Sequence, residues 1–295
     1  MDLHALQQFL VVARLEHLSR AATELRVAQP SLSRTIGRLE AELGAPLFDR
    51  GGRLRLNESG RVFRAHVERA LGELDAGRRA AAEAAHDGVG GVRLAAETFL
   101  TVTGPLAAYR AAHPDVDIEL HQLSAADMHR ALLAREVDLC VASQPIPGDG
   151  LDSSQLMDEQ VWLAVPPGHR LAARDSVAVP ELRDEPFVIS RSGHWQRRLL
   201  DLLFNRHSLS PRIVCEGDEP AATAMLVSAG IGLTLLPAVA LSASVSAPIA
   251  CAAVDDPGCR RTLTLHRVAD SRQSTATRLL HHTLTTWPWG ASSQT

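Results

Sequence analysis

Gln29, Ser33, Arg34 and Arg38 lie within ten positions of one another, in the run QPSLSRTIGRLEAEL. An arginine can donate two hydrogen bonds to a guanine edge, and a glutamine can pair in the same way with adenine. Serine and further arginine reach phosphate oxygens instead. Between residues 19 and 38 four arginines stand against one glutamate, a local charge of +3 in a chain whose formal net charge is -4. The whole chain therefore has no general pull towards nucleic acid, and such chemistry must rest on this patch. A second group, Arg50, Arg53 and Arg55, follows in PLFDRGGRLRLN, where it would flank a duplex backbone.

The elements that must hold these side chains are legible around them. Leu32, Ile36, Leu39 and Leu43 recur at helical spacing and make an inner face, which turns Gln29, Ser33 and Arg34 outward. Pro30 suits the first turn, where its missing N–H is no loss, and Gly44 ends the helix. Ser19 is the expected N-cap of a preceding short helix that ends near Leu25, and RVAQ is the turn between the two. Leu6, Phe9, Leu10 and Ala13 give a first helix with one apolar face. PLFDRGGRLRLN then reads as strand, glycine turn and strand: a small wing. Asn57 caps about 28 residues of unbroken helical pattern, whose narrow stripe of Phe63, Val67, Ala70, Leu71 and Leu74 suits a dimer seam. The Asp-Gly-Val-Gly-Gly run at residues 87–91 is a hinge.

From Val92 the pattern changes to alternating strands and helices, which predicts an α/β sheet with parallel strands. VRLAA, DIEL, VDLCVA, QVWLAVP, PFVIS, RIVC and RTLTLHRV are the strands, and a last helix ends near Trp287. Two such units leave a cleft near their strand ends, where small ligands sit. Residues 221–254 contain no charged residue, but Pro237, Pro248 and repeated Ser, Thr and Gly divide them into core elements. No membrane span is expected.

Composition excludes several chemistries. There is no lysine, so all 30 basic residues are arginine and a P-loop lysine, a Schiff-base lysine and a Ser-x-x-Lys pair are ruled out. Cys140, Cys215, Cys251 and Cys259 lack zinc-type or C-x-x-C spacing, and MDLHALQQFL lacks the cationic start of a signal peptide. Both point to a cytoplasmic protein. Gly230 and Gly232 do not complete a dinucleotide fingerprint, and His281 and His282 face different ways. No cofactor, metal or catalytic residue is expected.

The run from SRAATEL through VAQPSLSRTIGRLEAELGAPLFDR resembles the winged helix-turn-helix of LysR-type transcriptional regulators. LAVPPGHRLA, VPELRDEPFVIS and LVSAGIGLTLLP resemble segments of their effector domain, whose fold is similar to periplasmic binding proteins. The resemblance implies a multidomain chain: an all-α winged helix-turn-helix over residues 1–57, a linker helix and hinge over 58–91, and an α/β effector domain of two lobes over 92–289. Lobe I would take about 92–160 plus 266–289 and lobe II about 161–265, with a disordered tail at 290–295. It implies a dimer of dimers on double-stranded DNA carrying an interrupted inverted repeat, bent differently when a small effector binds, with RNA polymerase as a further candidate partner. Gln29, Pro30, Ser31, Ser33, Arg34 and Arg53 match the DNA-contacting positions, and Asn57 replaces the threonine common before the linker helix. Effector contacts are expected at Thr98, Ser124, Ser143 and residues 190–194, where Arg191 and His194, with Ser190, would suit an anionic metabolite. The alternatives are a DNA-binding architectural protein without an effector, and a small-molecule enzyme, for which no catalytic motif is present.

Overall fold

A computed structural model describes residues 1–49, 51, 53–86, 90–242, 248–269 and 273–290. Arg50, most of the hinge and all but Gly290 of the tail lie outside the described residues. The chain divides into two units, Met1–His86 with Leu133–Glu136, and Asp87–Leu132 with Val137–Thr295.

In the first unit α1 (Leu3–Leu15), α2 (Leu18–Glu24) and α3 (Gln29–Leu43) pack around Phe9, Val12, Leu32, Ile36 and Leu39. The N-cap of α2 is His17, whose ring accepts from the Arg20 N–H at 3.4 Å; Ser19 lies inside the helix, not at its cap. Residues 25–28 turn the chain with Arg26 in the left-handed region, at φ 55°. Gly44 ends α3 at φ 68°, a conformation open to glycine because it lacks a Cβ. The wing is a two-stranded antiparallel sheet, β1 (Phe48–Asp49) against β2 (Arg55–Leu56). Glu16 accepts from the Leu56 N–H at 2.9 Å and Glu40 from the Leu47 N–H at 2.8 Å, so two carboxylates fix the wing to the helices. Asn57 accepts from the Gly60 N–H at 2.8 Å and opens α4 (Glu58–His86). Of the expected seam, Phe63, Val67 and Leu71 are taken by the core of this same unit, whereas Leu74 is 51% exposed.

The second unit holds a mixed sheet where parallel strands were expected. Its order is β4 (Asp117–Gln122), β3 (Gly91–Ala96), β5 (Leu139–Ala142), β12 (Arg260–Val268), β6 (Leu151–Val165), β11 (Ala250–Val254) and β7 (Ser176–Val177), with β10 (Thr234–Pro237) also on β6. β3 is parallel to β4 and β5, but β12 is antiparallel to both β5 and β6. β8 (Pro186–Ile189) and β9 (Arg212–Glu216) form a separate parallel pair. The helices are α5 (Thr103–Ala112), α6 (Ala125–Leu133), α7 (Trp195–Asn205), α8 (Pro220–Ser228), α9 (Ala238–Ser242) and α10 (Thr275–Thr286).

Two apolar cores explain the long antiparallel pair. Leu94, Val102, Tyr109, Leu139, Leu263, Leu265 and Leu280 form one; Val161, Leu163, Phe187, Leu200, Phe204 and Leu235 form the other. Along β6, Leu156 and Met157 pack on the first core and Val161 on the second, so the strand passes from one to the other within four residues. β12 runs beside it, from Arg260 opposite Gln160 to Val268 opposite Leu151. Side chains at this crossing are brought close to the ends of β3 and β8, where the cleft opens.

Candidate nucleic-acid interface and ligand cleft

On α3 the residues Gln29, Pro30, Ser31, Arg34 and Arg38 are exposed and Ser33 is half-buried, on the side away from Leu32, Ile36 and Leu39. The N-terminus of α3 has Ala28 as its cap with no side-chain hydrogen bond; Pro30 has no N–H, and the Ser31 and Leu32 amides donate to the Ala28 carbonyl at 2.9 and 3.1 Å. Arg34 Nε donates to the Pro30 carbonyl at 3.3 Å, which lays the guanidinium along the helix start. Arg53 and Arg55 are exposed on the wing. None of Arg34, Arg38, Arg53 and Arg55 forms an ion pair among the described residues, whereas Arg14 pairs with Glu24 and Arg61 with Glu58. The positive charge of this face is thus available to a polyanion. Arg50 cannot be placed on it, because it lies outside the described residues.

In the second unit a cleft of about 480 Å³ opens at the ends of β3 and β8. Thr98, Ser190 and His194 line it, as expected; Ser143, Ser124 and Arg191 do not. Ser143 stands behind the lining, where its N–H donates to Glu97. Ser124 accepts from the Asp127 N–H at 3.3 Å and serves the start of α6. The Arg191 side chain is 69% exposed and is held outside by Asp218, with Nε to Oδ2 at 2.7 Å. Gly193, at φ 97°, supplies the turn that brings Ser190 and His194 to the N-terminus of α7. Ser190 is 4% exposed and its Oγ has no hydrogen-bond partner among the described residues.

Sequence reasoning missed the groups that dominate the cleft. Glu97, directly after β3, is 5% exposed and accepts from the Ser143 N–H at 2.5 Å and from Gln144 Nε2 at 2.9 Å. The same Gln144 amide donates to the Gly193 carbonyl at 2.8 Å, joining the loops after β5 and β8. Burial raises the pKa of Glu97, against the lowering effect of those donors and of His194. Burial also pulls Asp218 upward, but hydrogen bonds from the Arg191 backbone and side chain, with His194 nearby, lower it overall. Arg261, on β12, is 1% exposed. It donates through Nε to Glu159 Oε1 at 2.7 Å and through Nη1 to Thr101 at 3.3 Å, and its guanidinium lies 5.0 Å from the Trp195 ring centre. Burial lowers its pKa while Glu159 supports the charge. The second oxygen of Glu159 accepts from the Val239 N–H at 2.9 Å. Leu236, Pro237 and Ala240 complete an apolar wall. An acid at the end of an apolar strand, as in LAAET, was the available signal for Glu97.

Among the described residues no group of three His, Cys, Asp or Glu side chains could hold a metal, and no helix is long and apolar enough to cross a membrane. The four cysteines are free, and burial raises the thiols of Cys140, Cys251 and Cys259, the last to about 12.

Two family models match the chain: the bacterial regulatory helix-turn-helix protein, lysR family, over residues 3–61, and the LysR substrate binding domain over residues 85–288. The helix-turn-helix-type regulator YybE of Bacillus subtilis is 32% identical over 80% of this chain and 82% of its own length. AlsR of the same organism is 32% identical over 81% of this chain and 82% of its own. The structure of full-length CbnR with its target DNA shares the fold with a TM-score of 0.67 at 21% identity, over 96% of this chain and 99% of that one.

Proposed function

This chain belongs to the LysR family of transcriptional regulators, with a DNA-binding helix-turn-helix and a ligand-binding α/β domain, and from that premise we propose how it reads DNA and what it responds to. Gln29, Pro30, Ser31, Ser33, Arg34 and Arg38 enter the major groove from α3, with Gln29 and Arg34 reading base edges. Arg50, Arg53 and Arg55 hold the flanking backbone. The single observation that carries this reading is the exposed face of α3, whose arginines form no ion pair among the described residues. The target is an interrupted inverted repeat, spaced by a dimer built on α4 and doubled into a tetramer. Residues 92–160 with 266–289, and residues 161–265, act as the two lobes of the effector domain.

A small molecule enters the cleft, favours one arrangement of the lobes and changes how the assembled protein bends the operator in the cytoplasm, with RNA polymerase reading the outcome. Of the two groups expected to attract an anionic effector, Arg191 is engaged by Asp218 and His194 lies 3.5 Å from the same carboxylate, while the unexpected Arg261 is held by Glu159. An anion would therefore have to compete with carboxylates already in place. The deciding experiment is fluorescence anisotropy on DNA from upstream of the protein's own gene, with competitor DNA, comparing wild type with Arg34→Ala. Specific binding that the variant loses supports the reading. Absence of any binding at low salt rejects it. A footprint that no cell extract fraction alters favours an architectural protein instead.

A further inference from the structure

The cleft holds one carboxyl group with no ion-pair partner among the described residues, although Arg261 and His194 act on it through space. Of its charged side chains, Arg261 is bound to Glu159, and Asp218 to Arg191. Glu97 forms no ion pair among the described residues; its two oxygens meet the neutral donors Ser143 N–H and Gln144 Nε2. The nearest titratable ring, His194, lies 3.5 Å from Asp218. A carboxylate 5% exposed is stripped of most of its water, and the Ser143 and Gln144 donors offset that loss only in part, since burial still raises its pKa; a cation at the cleft would favour the charged form.

A second observation points into the same space. Ser190 Oγ is buried, lines the cleft and has no hydrogen-bond partner among the described residues, and Thr98 also lines it and makes no capping hydrogen bond through its side chain. Two neutral hydroxyls and a carboxylate without a cationic partner, each oxygen with a further lone pair, are acceptors suited to a group with several N–H donors. Opposite them stands the apolar wall of Leu236, Pro237 and Ala240, which suits a hydrocarbon body.

We propose that the effector carries a cationic head, a protonated amine or an amidinium, which pairs with Glu97 and donates its remaining N–H groups to Ser190 and Thr98. This rests on the reading that the cleft binds the effector. A glutamine at residue 97 keeps one oxygen for the Ser143 N–H but turns an NH2 towards the Gln144 amide, so it removes the charge together with one neutral hydrogen bond. A buried carboxyl group without an ion-pair partner, beside an unpartnered buried hydroxyl, is the place in this cleft where a cation would gain most.

The test uses the full-length protein near neutral pH and constant ionic strength. Thermal unfolding and calorimetry are run with three matched pairs of probes at millimolar concentration: ethanolamine and glycolate, butylamine and butyrate, benzylamine and benzoate. The expected result is that an amine stabilises wild type, that its carboxylate partner does not, and that Glu97→Gln weakens the amine at least about ten-fold. Ligand-free Glu97→Gln, which gives up only the hydrogen bond from Gln144, should still fold and unfold in one transition close to that of wild type; failure to fold would make Glu97 a structural cap and overturn the proposal. Ser190→Ala, which removes only an unpartnered hydroxyl, should fold normally and weaken the amine a few-fold. If carboxylates stabilise wild type and amines do not, the charge assignment fails while effector binding stands. An amine effect unchanged in both variants, or a flat response to all six probes, also overturns it, and the effector reading is then judged by the DNA footprint, which does not depend on probe charge.

Discussion

The two units use the same side chain in opposite ways. On α3 and the wing, Arg34, Arg38, Arg53 and Arg55 are exposed and form no ion pair among the described residues, although Asp49 lies across the strand pair from Arg55, and their charge is free to meet a polyanion. In the cleft Arg261 has no exposed side-chain surface and is held by Glu159, Thr101 and the Trp195 ring, so its charge is consumed internally. In a chain without lysine, neither location can be told from residue type. What separates them is the neighbour: a lone glutamate at residue 24 serves the whole of residues 19–38, whereas Glu97, Glu159 and Asp218 crowd one cleft. The DNA-binding face is therefore electropositive by omission of acids, and the cleft is left with an acid by internal pairing of its bases.

Breaking the buried pair gives the largest effect. Arg261→Ala leaves Glu159 buried without its partner, which is expected to destabilise the effector unit by about 3–5 kcal/mol. Urea unfolding measures it. Combining Arg261→Met with Glu159→Gln should recover much of that loss, since a neutral pair of similar volume carries no uncompensated charge. Arg34→Ala sharpens the contrast: no change in unfolding, but a loss of about 1–3 kcal/mol in preference for the specific site over competitor DNA. An equal loss of stability in the two variants would erase the distinction between the two arginines.

The same contrast governs what the sequence revealed. The helices of the first unit follow from local rules, and Leu32, Ile36, Leu39, Pro30, Gly44 and Asn57 do in space what their spacing implies. His17 displaces Ser19 as a cap because its ring reaches the Arg20 amide, a geometric detail that propensity does not encode. The mixed sheet was not legible, because β12 meets β6 across about a hundred residues and strand direction leaves no mark on periodicity. Thr98 and Ser124 look alike in sequence, each a hydroxyl at a strand end. Ser124 faces a helix whose Asp127 amide needs an acceptor, so it caps, while Thr98 is left to line the cleft. Arg261 was invisible because a charged side chain is expected outside unless its distant partner is known.

Arg55→Ala tests the wing at smaller amplitude. A backbone contact carries no sequence information, so affinity should fall evenly on specific and competitor DNA, and the slope of log affinity against log salt should drop by about 1. Titrations at several salt concentrations measure it. A change in specificity without a change in slope would move Arg55 from the backbone to a base edge and make the wing part of the readout.

The smallest effect concerns pH, and it isolates Glu97 within the charges around it, which are His194 and Arg261, with Asp218 beside His194. Burial raises the Glu97 pKa above the ordinary 4.5. Between that value and its raised folded value, the unfolded chain has released a proton that the folded chain retains. The folded state then binds more protons, so its stability falls as pH rises through this window and levels off above it. Glu97→Gln removes the titration, and the ligand-free variant should show a flatter stability profile than wild type over the same pH range, with the Asp218 contribution common to both. A cation in the cleft should flatten the wild-type profile in the same way, because it favours the ionised carboxylate and brings the folded pKa back down. Thermal unfolding across pH, with and without the strongest amine probe, reads both effects. Parallel profiles for wild type and variant would mean that Ser143 and Gln144 already stabilise the charge fully, and the difference between the two units would then lie in exposure alone.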